Sequence, residues 1–302
     1  MTEVSDDFKH PKCYANTRGG CSSTISGEHY VSHGLIKLYQ DNDPAHRVQH
    51  RTGKGVGHPV TPKNFKANIL CQKHNTALSP ADDAALEFAT FLRRNALQYD
   101  AGAGEWGDAE EISISGNDFQ RWVLKLFLNH AATNHFGVQQ AKTVQYPTEA
   151  VDLLLGRAAW PSTWGLCIPA DLSNNDLWSD PFQRKEAVDV DWWGCAPFVF
   201  HDETLLGGAI VDLSHVSFGL TLFNPGRHDP RFNNPGNPIR GTVQRPRYMG
   251  WKSEGIEKRI YFDWEETRNG PGITYTLMSQ ERDWRSRGTL PSGRQFTKPQ
   301  HP

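Results

Sequence analysis

Long apolar runs are missing from this chain. The opening residues, MTEVSDDFKHPK, are polar, so no secretory signal peptide is expected, and no stretch approaches the length of a membrane span. Walker-type and G-x-G-x-x-G loops are also missing, which argues against a nucleotide-driven motor or a dinucleotide enzyme. No internal repeat points to a solenoid. There is no global basic field, because the formal net charge is −2; a nucleic-acid partner would have to be held by a local patch. Cysteine is scarce. Five in 302 residues are too few and too scattered for a secreted disulfide framework. These absences together read as a soluble, cytoplasmic protein that does not engage a membrane.

Large apolar side chains are plentiful. Hydrophobic residues make up 37% of the chain, and 10 Trp and 15 Phe supply bulk for a core. The near-neutral total hides an asymmetry. From Lys9 to Asn75 there are ten basic and three acidic residues, an excess of seven; from Ala81 to Gln120 nine acids face only Arg93 and Arg94. A helix is expected over LSPADDAALEFATFLRRNAL, with Ser79 as its cap and Pro80 in its first turn. A stronger helix follows in SGNDFQRWVLKLFLNHAATNHFG, capped by Ser115 or Asn117, with Phe119, Trp122, Val123, Leu126 and Phe127 at helical spacing. YPTEAVDLLLGRA gives a third, shorter one. Six short β-branched or aromatic runs after it read as strands: WGLCIPA, CAPFVFH, LGGAIVDLSH, VSFGLTLFNP, RIYFDWEE and GITYTLMS. The expected architecture is α+β. A module over residues 1–98 precedes an acidic glycine-rich linker over 99–116. A C-terminal domain of helices followed by antiparallel strands spans 117–285, and a polar tail covers 286–302.

The chemistry concentrates at the front. Cys13 and Cys21 flank a turn-rich loop containing Gly19 and Gly20. Far downstream, ILCQKHNTALSP places Cys71 and His74 three apart, a spacing at which one helical turn offers two ligands to one ion. Three cysteines and a histidine make a closed tetrahedral set of the kind a structural zinc prefers. Cys167 and Cys195 sit in apolar surroundings and read as ordinary buried thiols. Between the two halves, SGEHYVS holds the adjacent pair Glu28 and His29, and Asn75 follows His74 directly.

An acid–His pair, a variable loop and "LC..HN" at a helix start, flanked by zinc ligands, resembles the HNH endonuclease family. The resemblance covers Cys13 to about Ala85. It implies a ββα-metal (treble-clef-like) module that hydrolyses phosphodiester bonds, with DNA as the expected partner. His29 would be the general base, and Glu28 and Asn75 would hold a catalytic Mg²⁺ or Mn²⁺. Cys13, Cys21, Cys71 and His74 would hold structural Zn²⁺, and Asn68 in KANILC would orient the base. The chain departs from the family pattern in three places. Glu stands for the usual Asp, seven residues separate Cys13 from Cys21, and the lysine that usually follows "CN" is missing. Asp82 lies two helical turns beyond Asn75. It is either a further ion ligand or a solvated acid complementing the helix dipole.

The loop from Tyr39 to Asn68 carries Arg47, Arg51, Lys54, Lys63 and Lys66. It is either a phosphate-tracking arm or a solvated surface loop. Later, Asp189 and Asp191 alternate as on a strand edge, and Trp192 and Trp193 read as core. The segment from Arg227 to Lys252, with Tyr248 and Trp251 interleaved, could stack nucleobases or be an ordinary long loop. A small nuclease module beside a larger domain is an arrangement resembling bacterial defence and restriction systems. Two rival expectations stand beside the nuclease. One is a zinc-stabilised nucleic-acid-binding module without activity. The other is a partner-gated subunit, assembling with a protein or a second copy through the C-terminal domain.

Overall fold

A computed structural model of the chain describes residues 5–40, 48–50, 58–101, 104–133, 146–168, 193–199, 206–214, 216–222, 243, 245–265, 270 and 272–277. Arg47, Arg51, Lys54, Asp189, Asp191, Trp192, the tail 286–302 and most of the segment from Arg227 to Lys252 lie outside them. Among the described residues no helix is long and apolar enough to cross a membrane.

The architecture is α+β. The centre is α4 (Gly116–Ala132), whose start is marked by Ser115: its hydroxyl accepts the Asp118 N–H at 3.1 Å, an N-cap with an acid in the first turn. The helix is buried from Phe119 to His130 apart from Arg121, because sheets and helices cover it on several sides. α3 (Ser79–Asp100) packs beside it. One four-stranded sheet runs β6 (Trp164–Cys167), β9 (Val216–Leu222), β8 (Leu206–Leu213), β7 (Trp193–Val199), with every pairing antiparallel. The other runs β12 (Ile273–Thr276), β10 (Tyr248–Ser253), β11 (Ile256–Asp263), β5 (Glu110–Ser115). In it only β10 and β11 are antiparallel; β12 and β5 pair in parallel. Strands of this second sheet therefore depart from the antiparallel expectation.

Four phenylalanines join these layers. Phe88 of α3 lies 4.7 Å from Phe119 of α4, and Phe119 lies 5.1 Å from Phe218 of β9 and 5.6 Å from Phe262 of β11. Edge-to-face and tilted rings at these separations add to the area they bury. The apolar core is continuous from Cys13 to Leu277. The segment 99–116, expected to be a linker, contains β5, where Ile112 and Ile114 alternate with Glu and Ser and pair with Ile260 and Phe262. β10 was likewise hidden in an expected loop; Met249 and Trp251 are fully buried there, so Trp251 is a core residue and not a stacking platform.

The front of the chain adds a small two-stranded sheet. β1 (Ile25–His29) pairs antiparallel with β4 (Lys66–Cys71), and α2 (Gln72–Ala77) follows β4 without a break. Between them come α1 (His33–Tyr39) and a ribbon of β2 (Val48–His50) with β3 (His58–Val60). Ser79 is not the cap of α3. Leu78 ends α2 and starts α3 at once, with Pro80 in the first turn and no side-chain cap bond. Beyond α4, α5 (Glu149–Leu154) matches the third expected helix.

Candidate metal centre and the His29 face

Cys13 and Cys21 sit at the two ends of a tight loop. Gly19 and Gly20 turn it with φ of +76° and +73°, a left-handed backbone that side chains resist, and a Cβ on Gly19 would meet the Asp7 backbone at 2.9 Å. The loop is tied down by backbone bonds, Cys21 N–H to the Phe8 carbonyl at 3.0 Å and Tyr14 N–H to the Ile69 carbonyl of β4 at 3.0 Å. Cys71 ends β4 and caps α2, its sulfur accepting the His74 N–H at 3.5 Å. All four side chains are buried, and their donor atoms lie within 4.8 Å of one another. The Nδ1 of His74 is the inward nitrogen, 3.5 Å from Cys13 Sγ and 3.8 Å from Cys21 Sγ. A tetrahedral ion with metal–sulfur bonds of about 2.3 Å and a metal–nitrogen bond of about 2.0 Å has S···N edges of about 3.5 Å. The spacing therefore fits a metal, and this is the one group of three or more Cys, His, Asp or Glu donors so clustered among the described residues.

The electrostatics fit as well. Burial pushes the Cys13 thiol up to about 12 and raises Cys21 too. Burial opposes ionisation of Cys71, but hydrogen bonds from the His74 and Ser22 backbone and from the Ser22 side chain outweigh it and lower its thiol. Burial, with Arg157 and Lys73 nearby, keeps His74 neutral. Three buried thiols around a neutral imidazole need a shared cation to ionise together, which is what a metal supplies. His74 Nε2 faces Arg157 Nη2 at 3.1 Å.

His29 ends β1, opposite Lys66. Its Nε2 lies 2.7 Å from the Pro62 carbonyl oxygen. A carbonyl only accepts, so Nε2 carries the proton and Nδ1 holds the lone pair. Burial lowers the imidazole pKa, with Lys66 and Lys125 adding to the shift, and the ring is neutral at pH 7. The His33 ring stacks on it at 5.1 Å and 6°. Asn68 is exposed on β4 where the pairing slips by one residue, Ser26 facing Leu70 but Glu28 facing Ala67. Lys63 and Lys66 are exposed on this side, and the Lys66 stem lies across Gly27.

Glu28 and Asn75 have different partners. Glu28 is 3% exposed; its Oε1 meets Lys125 Nζ at 2.8 Å and accepts from Asn129 Nδ2 at 3.3 Å. Asn75 instead donates through Nδ2 to Ser26 Oγ at 2.8 Å. This arrangement does not fit the expected Mg²⁺ or Mn²⁺ cradle, because a carboxylate facing the core needs a counter-charge and Lys125 already provides it. Asp82 is the acid in the first turn of α3, as the helix-dipole reading expects, and it is paired as well: it accepts from Ser32 Oγ at 2.5 Å and from Lys125 Nζ at 2.8 and 2.9 Å. Burial alone would depress Lys125, but Glu28 and Asp82 together raise its pKa; burial raises the Glu28 carboxyl against the pull of that single lysine.

Lys125, Asn129 and Pro62 were not anticipated as site residues. The legible signal was WVLKLFLN, where a lysine and an asparagine four apart interrupt an otherwise apolar run. No family model, curated protein or solved structure matches the chain.

Proposed function

We propose that the protein is an HNH-like endonuclease that hydrolyses phosphodiester bonds of DNA, its β1–β4–α2 unit closed by zinc on Cys13, Cys21, Cys71 and His74. The observation that carries this reading is His29: a neutral imidazole, its tautomer set by the Pro62 carbonyl, at the end of a strand that pairs with the strand leading into the Cys₃His helix. Zinc would supply a rigid, non-reacting anchor for loop, strand and helix. His29 Nδ1 takes a proton from the attacking water as its oxygen bonds to phosphorus and the bond from phosphorus to the 3′ oxygen breaks; the leaving oxygen takes a proton from solvent, and the Nε2–H bond to Pro62 stabilises the imidazolium that forms. Lys66, across the strand pair, offers positive charge to a phosphate without reading sequence. No step is assigned to Glu28 or Asn75 as ion ligands.

The test pairs metal analysis with cleavage. One equivalent of zinc per chain is expected. Nicking of supercoiled plasmid, assayed with and without added Mg²⁺ or Mn²⁺, is expected to fall about 100-fold or more in His29→Ala. Equal nicking by wild type and His29→Ala would overturn the reading. The rival, a zinc-stabilised binding module without activity, draws on the engagement of Glu28 by Lys125; it predicts DNA binding with no cleavage by either protein.

A further inference from the structure

The Asn129 carboxamide, on the inner face of α4, is fully used. Its Oδ1 accepts from the Tyr14 hydroxyl at 3.0 Å, and its Nδ2 reaches Glu28 Oε1 at 3.3 Å and the His29 carbonyl at 3.1 Å. One buried amide therefore ties three parts together: the metal loop beside Cys13, the β1 strand and α4. One helical turn earlier, Lys125 clamps Glu28 of β1 and Asp82 of α3; Trp122 donates to Ser32 at 2.8 Å just after β1. Trp122, Lys125 and Asn129 thus spend their hydrogen bonds on the metal loop, β1, the residues after it and α3, so this face acts on the strand itself.

We propose that Asn129 is a positioning residue for His29, with Lys125 and Glu28 as its charge-balanced anchor, so that α4 sets the main chain from which the His29 ring reaches Pro62. Glu28 is on this account an anchor for the strand and not an ion ligand. The inference rests on the nuclease reading for its catalytic consequence, but the geometry has its own readout. In Asn129→Ala the His29 carbonyl loses its donor and Tyr14 loses its acceptor. The strand end relaxes and the Nε2–H bond to Pro62 weakens.

The experiment uses the full chain. Asn129→Ala should keep one equivalent of zinc and lower kcat on supercoiled plasmid about 10- to 100-fold, with KM within about twofold, since sub-ångström misplacement acts on the chemical step. Its His29 ring ¹⁵N shifts should move from the Nε2–H tautomer toward an averaged value. Tyr14→Phe removes only the hydroxyl that steadies Asn129, so it should move the same shifts in the same direction by less; it decides the matter if Asn129→Ala fails to fold. Glu28→Gln should lower kcat a few-fold and leave the response to added Mn²⁺ as it is in the wild type, whereas loss of an ion ligand would raise the Mn²⁺ needed tenfold or more. Unchanged His29 shifts in Asn129→Ala and Tyr14→Phe would overturn the positioning role, and a raised Mn²⁺ requirement in Glu28→Gln would overturn the anchor role. A wild type that cleaves nothing defeats the nuclease reading alone, because the ¹⁵N shifts still decide the positioning.

Discussion

Two faces of α4 are buried by different physics. One, through Phe119, meets a junction of aromatic rings from α3, β9 and β11. The other, through Lys125 and Asn129, meets carboxylates and carbonyls of the front module. Apolar packing is non-directional and gains roughly in proportion to area, so ring positions there can adjust. The polar face is different: each group has a named partner, and leaving one unpaired inside the protein costs the full desolvation penalty. The aromatic face should therefore govern stability alone, and the polar face should govern the geometry around His29 as well.

The largest test removes the centre beyond the polar face. A strong chelator, or Cys71→Ser, should forfeit binding free energy on the order of 10 kcal/mol gross and lower the melting temperature far more than any single core substitution. Differential scanning calorimetry with and without chelator measures it. Phe119→Ala comes next, at about 3 to 5 kcal/mol by denaturant titration, with zinc content and the His29 ring shifts unchanged. If those shifts move, the two faces are not separable.

Lys125→Met should cost about 3 kcal/mol or more, because Glu28 and Asp82 are left facing each other without a cation. Adding Glu28→Gln and Asp82→Asn should recover most of the stability, while the rate does not return. Recovery of both would make the lysine a stability element only. A smaller effect concerns Tyr39, whose hydroxyl pairs with Ser214 at the turn between β8 and β9. Burial pushes this phenol up to about 12. A folded-state pKa above the unfolded one means its contribution is complete below pH 10 and lost as pH rises toward 12. Tyr39→Phe should flatten an alkaline decline of about 2 kcal/mol. Smallest is Arg94→Ala at the exposed Arg94–Glu110 pair, under about 1 kcal/mol.

The metal donors and the apolar face of α4 were legible in advance; the polar face was not, and the limits are physical. The donor set Cys13, Cys21, Cys71 and His74 could be read because thiols are rare and each half, Cys13 with Cys21 and Cys71 with His74, is local; the structure brings all four together. α3, α4 and α5 followed from apolar periodicity and helix-start signals. β5 and β10 were missed because acids, glycine and lysine masked a real alternation, Ile112 with Ile114 and Met249 with Trp251. The segment taken as a linker holds β5, whose Ile114 belongs to the buried core. The family resemblance assigned Glu28 an ion; the partner it meets is Lys125, from a helix far along the chain.

By itself the sequence determined which atoms could bind metal, where the long helices lie, and that an acid and an imidazole stand side by side before a strand turns. Donor chemistry and periodicity depend only on near neighbours. The tertiary structure decided which nitrogen of His74 points inward, which nitrogen of His29 keeps its proton, and which cation Glu28 meets. Those choices belong to whatever is buried opposite each group, and burial is a property of the whole fold.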